Sequence, residues 1–225
     1  MTPATVPTSA GCLNLRRLCW FTFIALISFF LWRTPALYPL KIFVVFIHET
    51  GHALASVLTG GSVLTMVVTP WESGYVQHVG GNALLVASAG YVGSALFGGS
   101  MLLLSGWQRW AGRTFAMLSG LFAVVTLCFV RNLFGIVFGL GTAFVFGLLA
   151  WKQLRGMHYI IDVLAVMSSL YALYDLSDFL LIGAKTDAVI LAEITQVPAF
   201  IWAILWSSFS LLVVYVAGKR ALLRR

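Results

Sequence analysis

Charged residues are scarce in this sequence. They make up 9% of its 225 residues, whereas 60% are hydrophobic and the mean hydropathy is +0.97. Soluble globular domains carry about 25% charged residues, so this composition excludes a soluble protein. The length allows six or seven membrane spans of about 20 residues each. We therefore predict an all-α polytopic membrane protein.

Cysteine is also rare, and the few cysteines are not clustered. Cys12, Cys19 and Cys128 form no CxxC motif, which excludes a disulfide framework and a cysteine zinc site. The 14 basic residues outnumber the 7 acidic ones, yet they occur mostly in pairs between apolar runs and not on a basic face interleaved with aromatic residues. We therefore expect the lipid bilayer as a partner and no nucleic acid.

The chain divides into a short polar start and a long apolar remainder. We expect residues 1–15, rich in Thr, Pro and Ser, to be a disordered tail, and residues 16–225 to be a single integral membrane domain. Within it, seven apolar runs predict helices at residues 18–32, 41–60, 82–105, 114–130, 132–151, 159–182 and 198–217. If every run crosses the bilayer once, the distribution of Lys and Arg predicts a multi-pass protein with a non-cytosolic N-terminus and a cytosolic C-terminus.

Residues 61–81 interrupt the helical pattern. Their β-branched residues, the turn sequence Pro-Trp-Glu-Ser-Gly and the flanking glycine pairs predict a β-hairpin. An exposed strand edge there could pair with an extended substrate peptide, as in β-augmentation. An ordered loop without a substrate role is the alternative.

The second apolar run contains the motif His48-Glu49-Thr50-Gly51-His52. Two histidines four residues apart on a helix share a face, so both imidazoles can bind one Zn²⁺, and the glutamate between them can act as a base toward a water molecule. Ionisable residues at bilayer depth are costly, and such clusters indicate a functional site. We predict His48 and His52 as metal ligands and Glu49 as the catalytic base.

A catalytic zinc site needs a third protein ligand, and the acidic residues are few enough to compare. Four of them lie outside the deep parts of the predicted spans: Glu72 in the hairpin, Asp162 near a helix start, and Asp187 and Glu193 in the loop before the last span. Asp175 and Asp178 lie deep in the sixth run and share one helical face. Without the motif, two such aspartates would be read as a proton or ion relay.

Depth distinguishes between these two aspartates. If the second and sixth helices run parallel, His52 and Asp175 each lie about 12 Å before the terminal glycine of their helix, whereas Asp178 lies about one turn nearer to that end. We therefore predict Asp175 as the third ligand. Asp178 is the alternative ligand, or a hydrogen-bonding partner of the first three.

Several segments together resemble a known family. The runs FIHETGHALASVLTGG, ASAGYVGSALFGG, LYDLSD and TDAVILAEITQVPAFIWAILW are similar to the site-2 protease family of intramembrane zinc metallopeptidases, in its short branch without a PDZ domain. The resemblance implies His48 and His52 as zinc ligands, Glu49 as the base and a later intramembrane aspartate as third ligand. The Asn-Pro-Asp-Gly-like motif typical of that aspartate is absent, so Asp175 or Asp178 would have to take the role.

The resemblance also implies membrane-spanning or membrane-proximal proteins as substrates, cleaved in regulated intramembrane proteolysis. We therefore predict a zinc-dependent intramembrane metalloendopeptidase with one catalytic Zn²⁺. Two alternatives belong to other classes: a catalytically silent homologue that binds metal or client proteins, and an ion- or proton-conducting membrane protein. Retention of Glu49 argues against the first, and the lack of an internal repeat argues against the second.

Overall fold

The computed structural model describes residues 14–105, 107, 110–175 and 186–223. Within these ranges the chain is predominantly helical, with one two-stranded antiparallel sheet. In chain order, the elements are α1 (Leu15–Leu31), a short 3-10 helix (Pro35–Leu37), α2 (Tyr38–Leu58), β1 (Ser62–Val68), β2 (Gly74–Val79), α3 (Ala83–Ser105), α4 (Ala111–Phe129), α5 (Leu133–Lys152), α6 (Met157–Ser169), α7 (Asp187–Thr195) and α8 (Ala199–Leu223).

Five of the described helices are long and apolar enough to cross a membrane: α2 together with the preceding 3-10 helix, α3, α4, α5 and α8. The helix α6 is apolar but shorter, and residues 171–175 continue as helix after a turn at Leu170. Exposed leucines, isoleucines, valines and phenylalanines cover the outer faces of the spans, as expected for surfaces that contact lipid. These features confirm the predicted polytopic membrane fold.

The helix α3 packs against α2, α6 and α8 and so occupies the middle of the bundle. Glycines allow the helices to approach closely. A Cβ atom at Gly51 would lie 2.4 Å from the Ala89 carbonyl oxygen, and one at Gly98 would lie 2.5 Å from the Ala165 carbonyl oxygen. The close packing of α2 on α3 brings the motif helix against the start of α3.

The predicted hairpin is present, and its two edges differ. The strands β1 and β2 pair antiparallel, with a register irregularity between Val63 and Thr65. On its other side, β1 meets the α4–α5 connection: the Arg131 backbone N–H donates to the Met66 carbonyl at 3.1 Å, and the Asn132 side chain bonds both backbone groups of Val68. Among the described residues, β2 pairs only with β1, so its outer edge is free.

The start of α1 lies beside the end of α8. The Asn14 backbone N–H donates to the Leu222 carbonyl at 3.2 Å, and the Arg17 guanidinium donates to the Ala221 carbonyl at 3.3 Å. This contact contradicts the expectation that the two termini lie on opposite sides of the membrane. The expectation treated every apolar run as one full crossing, but only five of the described helices are long and apolar enough to cross. The cytosolic C-terminus stays a prediction.

Candidate metal centre

The helix α2 presents the motif residues toward the interior of the bundle. His48, Glu49 and His52 are all buried. The spacing of one helical turn brings the two Nε2 atoms of the histidines to 3.0 Å from each other. The local geometry of a single helix therefore brings together the two histidines that were predicted as ligands.

A third group completes the cluster, and it is Asp187. Its Oδ2 atom lies 3.0 Å from His48 Nε2 and 3.1 Å from His52 Nε2. Asp187 begins α7, which packs against α3 and α8. Among the described residues, these three side chains form the one group of histidine, cysteine and acidic residues whose ligand atoms converge, all within 4.8 Å of one another.

The donor set fits a zinc ion. Four ligands at zinc bond lengths of 2.0–2.2 Å in a tetrahedron are about 3.3 Å apart. The three observed separations of 3.0 to 3.1 Å are close to this value. Two imidazoles and one carboxylate also match the ligand set of a catalytic zinc, which leaves a fourth position open.

The surroundings of the histidines orient their Nε2 atoms toward the cluster. The His52 Nδ1 atom lies 2.6 Å from the Val86 carbonyl oxygen, which can only accept, so Nδ1 carries a proton and Nε2 is the ring nitrogen that faces the cluster. Gly90 of α3 leaves the space that the imidazoles occupy. A Cβ atom at this position would lie 2.4 Å from His48 Nε2 and 2.5 Å from His52 Nε2.

Glu49 lies beside the cluster and contacts the hairpin. Its Oε2 atom is buried and forms no hydrogen bond within the described part of the chain. A Cβ atom at Gly74, the first residue of β2, would lie 2.8 Å from Glu49 Oε1. The absence of a side chain at Gly74 therefore allows the hairpin to pack directly on the carboxylate.

A cavity of about 690 Å³ contains this cluster. Its walls come from α2, the hairpin, the first half of α3, residues 171 and 175 after α6, and α7 together with the residue before it. Both aromatic residues that contact His48 line it: the ring centroids of Tyr91 and Tyr171 lie 4.6 Å and 5.1 Å from the imidazole. The cluster is thus buried in the bundle yet reachable through the cavity.

Asp175, the predicted third ligand, lines the same cavity but has a different contact. Its carboxylate accepts a hydrogen bond from the Tyr91 hydroxyl. Asp178 lies outside the described residues. The assignment of Asp175, with Asp178 as its alternative, stays a prediction.

The expectation that Asp187 lies in a loop was wrong. The segment before the last span forms a helix whose first residue reaches the histidines. The segment TDAVILAEITQVPAFIWAILW, which contributes to the family resemblance, already contained Asp187 and was the signal that could have identified it.

A comparison with protein families agrees with this geometry. A family model described as peptidase M50B-like matches residues 21–217. The chain belongs to this family. The match confirms the resemblance to site-2 proteases and places the chain among membrane metalloproteases. No curated protein and no solved structure matches the chain.

Proposed function

We propose that this M50B-like protein is a zinc-dependent intramembrane endopeptidase. Its substrates are membrane-embedded or membrane-proximal proteins, cleaved in regulated intramembrane proteolysis. The observation that carries this proposal is the convergence of His48, His52 and Asp187 on one point beside the buried Glu49, whose Oε2 atom has no hydrogen-bond partner among the described residues. Family membership supports the same reaction class.

His48, His52 and Asp187 would hold the zinc ion, because their ligand atoms already converge and Gly90 leaves room for the two imidazoles. Asp175 is the alternative to Asp187 as third ligand, because its predicted depth in the membrane equals that of His52. Bound zinc would supply Lewis acidity, which acidifies a coordinated water and polarises the peptide carbonyl. The hydrogen bond from His52 to Val86 keeps the imidazole in the tautomer that a ligand requires.

Glu49 is the proton-transferring residue in this mechanism. It would accept a proton from the attacking water and deliver it to the amine that leaves. Its Oε2 atom is available for this because it has no hydrogen-bond partner among the described residues. Contact with Gly74 limits the space around the carboxylate and so restricts its orientation.

The outer edge of β2, which pairs with no other described strand, is suited to hold the substrate backbone. Gly74, Tyr75, Val76 and His78 of this strand line the cavity, and Gly74 touches the catalytic base. The outer edge of β1 is covered by residues 130–132, which leaves β2 as the edge that can accept another strand. Pairing there would extend the substrate next to Glu49, as β-augmentation requires.

Zinc content and cleavage, measured on the same preparations, test the proposal. We would reconstitute the full chain in liposomes with a single-span test substrate and compare wild type, Glu49→Gln and the remote control Arg155→Gln. Glu49→Gln should keep one zinc per chain and lose cleavage by about 100-fold or more, because it removes the base but not a ligand. Arg155→Gln should match wild type.

Cleavage by Glu49→Gln at the wild-type rate would refute the proposed mechanism. Zinc-loaded wild type that leaves every substrate intact would favour the silent homologue. A chain without zinc that conducts ions across the liposome membrane would favour the conducting protein.

A further inference from the structure

The cavity around the candidate metal centre concentrates the acidic residues of the chain. Five of the seven line it: Glu49, Glu72, Asp175, Asp187 and Glu193. None of the described residues that line it is a lysine or an arginine, although the chain has 14 of these. A cleft lined by one sign of charge within low-dielectric walls attracts ligands of the opposite sign.

Most of these carboxylates already have partners. Asp187 contacts both histidines, and Asp175 accepts the hydrogen bond from Tyr91. Glu72 pairs with the buried ammonium of Lys41. A divalent cation would offset two further negative charges, so the cavity keeps a net negative charge even with a metal bound.

Glu193 differs from the others because it is exposed and forms no ion pair with any described residue. It lies on α7 six positions after Asp187, which corresponds to about 9 Å along the helix axis. Ile190 and Ile194 of the same helix line the cavity on either side of it. This part of the cavity therefore combines a free carboxylate with aliphatic walls.

Such a surface suits a long side chain with an apolar stem and a cationic end. Lysine and arginine have this character, since their methylene groups pack on apolar surface while the charge stays in a polar environment. An extended peptide advances about 3.3 Å per residue. A peptide that lies along α7, with its reacting bond beside Asp187, would therefore reach Glu193 about three residues later.

We propose that the protein selects substrates with a lysine or arginine about three residues from the scissile bond, and that Glu193 is the residue that contacts this cation. The inference rests on the proposed proteolytic function, because it concerns the substrate of the same site. It names a specificity-determining residue outside the ligands and the base.

Two measurements test it, and the second does not depend on catalysis. Cleavage by the zinc-loaded full chain would be followed on single-span test peptides that carry Lys, Gln or Glu at each of four positions on both sides of the scissile bond. Binding of the same peptides to Glu49→Gln would be measured without cleavage. The variants are Glu193→Gln, the conservative Glu193→Asp, and Lys219→Gln at the remote end of α8 as a control for a change of net charge by one unit away from the cavity.

Wild type should prefer Lys over Glu by about tenfold in kcat/KM at one position about three residues from the bond. Glu193→Gln should bring this ratio close to one, Glu193→Asp should keep most of it, and Lys219→Gln should keep all of it. Binding to Glu49→Gln should rank the peptides in the same order. Equal binding and cleavage of the Lys, Gln and Glu peptides, or an unchanged ratio in Glu193→Gln, would overturn the inference. Preferred binding of the Lys peptide that Glu193→Gln abolishes, without any cleavage, would support the contact between Glu193 and the cation but refute the proposed function, and with it the position relative to a scissile bond.

Discussion

Asp187 Oδ2 lies 3.0 Å from His48 Nε2, although 139 positions separate the two residues in the chain. The contact depends on α7, which packs on α3 and carries Asp187 as its first residue. Asp175 lies in the same cavity, hydrogen-bonded to Tyr91. The two aspartates can be compared directly by substitution.

We expect Asp187→Asn to weaken zinc binding by about 100-fold or more, because it removes the carboxylate that contacts both histidines and that we propose as the third ligand. Asp175→Asn should weaken it by about tenfold or less, since its carboxylate contacts Tyr91. Competition with a fluorescent zinc chelator measures both affinities. A larger loss for Asp175→Asn would establish Asp175 as the ligand and reject Asp187.

Gly90 gives a second test of the metal centre. An alanine there would place its Cβ atom 2.4 Å from His48 Nε2 and 2.5 Å from His52 Nε2, and the imidazoles would have to move. We expect Gly90→Ala to reduce both bound zinc and cleavage by about tenfold or more, because metal ligands tolerate little displacement. Gly120→Ala is the matched control, since no atom lies within 4 Å of a Cβ atom there. Zinc binding by Gly90→Ala at the wild-type level would contradict the described packing of α3 on the histidines.

The tip of the hairpin is attached to the start of α2. Lys41, which is 5% exposed, pairs with Glu72, and the Tyr38 hydroxyl donates to the Pro70 carbonyl at 2.9 Å. Glu72→Gln would remove the charged partner of a buried ammonium and should destabilise the attachment by about 1 to 3 kcal/mol. Limited proteolysis at the hairpin turn should then become faster.

Lys41→Met combined with Glu72→Gln removes both charges of that pair and should recover part of the lost protection, because no charge is left buried without a partner. Equal proteolysis of wild type and Glu72→Gln would show that the ion pair does not hold the hairpin. A double variant as sensitive as Glu72→Gln would assign the effect to lost packing.

Pairing of the substrate with β2 predicts a dependence on the substrate backbone. A test peptide with one N-methylated amide next to the scissile bond cannot donate that hydrogen bond to the strand edge. Only every second backbone N–H of an added strand points toward its partner, so the methyl group is tested at successive positions. We expect kcat/KM to fall by about tenfold for at least one of these peptides, because it loses a hydrogen bond to β2. An N-methyl group far from the scissile bond should leave kcat/KM unchanged. Uniform cleavage of all methylated peptides would exclude strand addition.

A buried ion pair joins α1 to α6 at the end of the bundle where α8 finishes. The Arg17 guanidinium lies 3.4 Å from the Asp162 carboxylate, whose side chain is 2% exposed, and Trp20 donates to the same carboxylate at 3.1 Å. Arg17→Gln should lower the free energy of unfolding by about 3 to 5 kcal/mol, because it leaves a buried charge without its ion-pair partner. Thermal unfolding in detergent measures the change. Arg16→Gln, an exposed neighbour, should stay within about 0.5 kcal/mol of wild type.

Local patterns predicted most of the elements. The division between α4 and α5 at Arg131 and Asn132, and the hairpin after α2, follow from breaks in hydropathy and from turn residues that act within a few positions. The short helix α7 was not predicted, because its nine residues lie in a segment that hydropathy assigns to a loop. The contact between the start of α1 and the end of α8 could not be predicted by counting apolar runs, because counting assumes that each run is a full crossing.

The sequence by itself determined the membrane class, the helical spans, the hairpin and the pairing of His48 with His52 around Glu49. These follow from composition and from the helical period, which depend on residues close together in the chain. Only the tertiary structure decided that Asp187 meets the histidines, that β2 keeps the free edge, and that five carboxylates share one cavity. Each of these depends on which helices and strands pack together, and that packing is set by contacts between residues far apart in the chain.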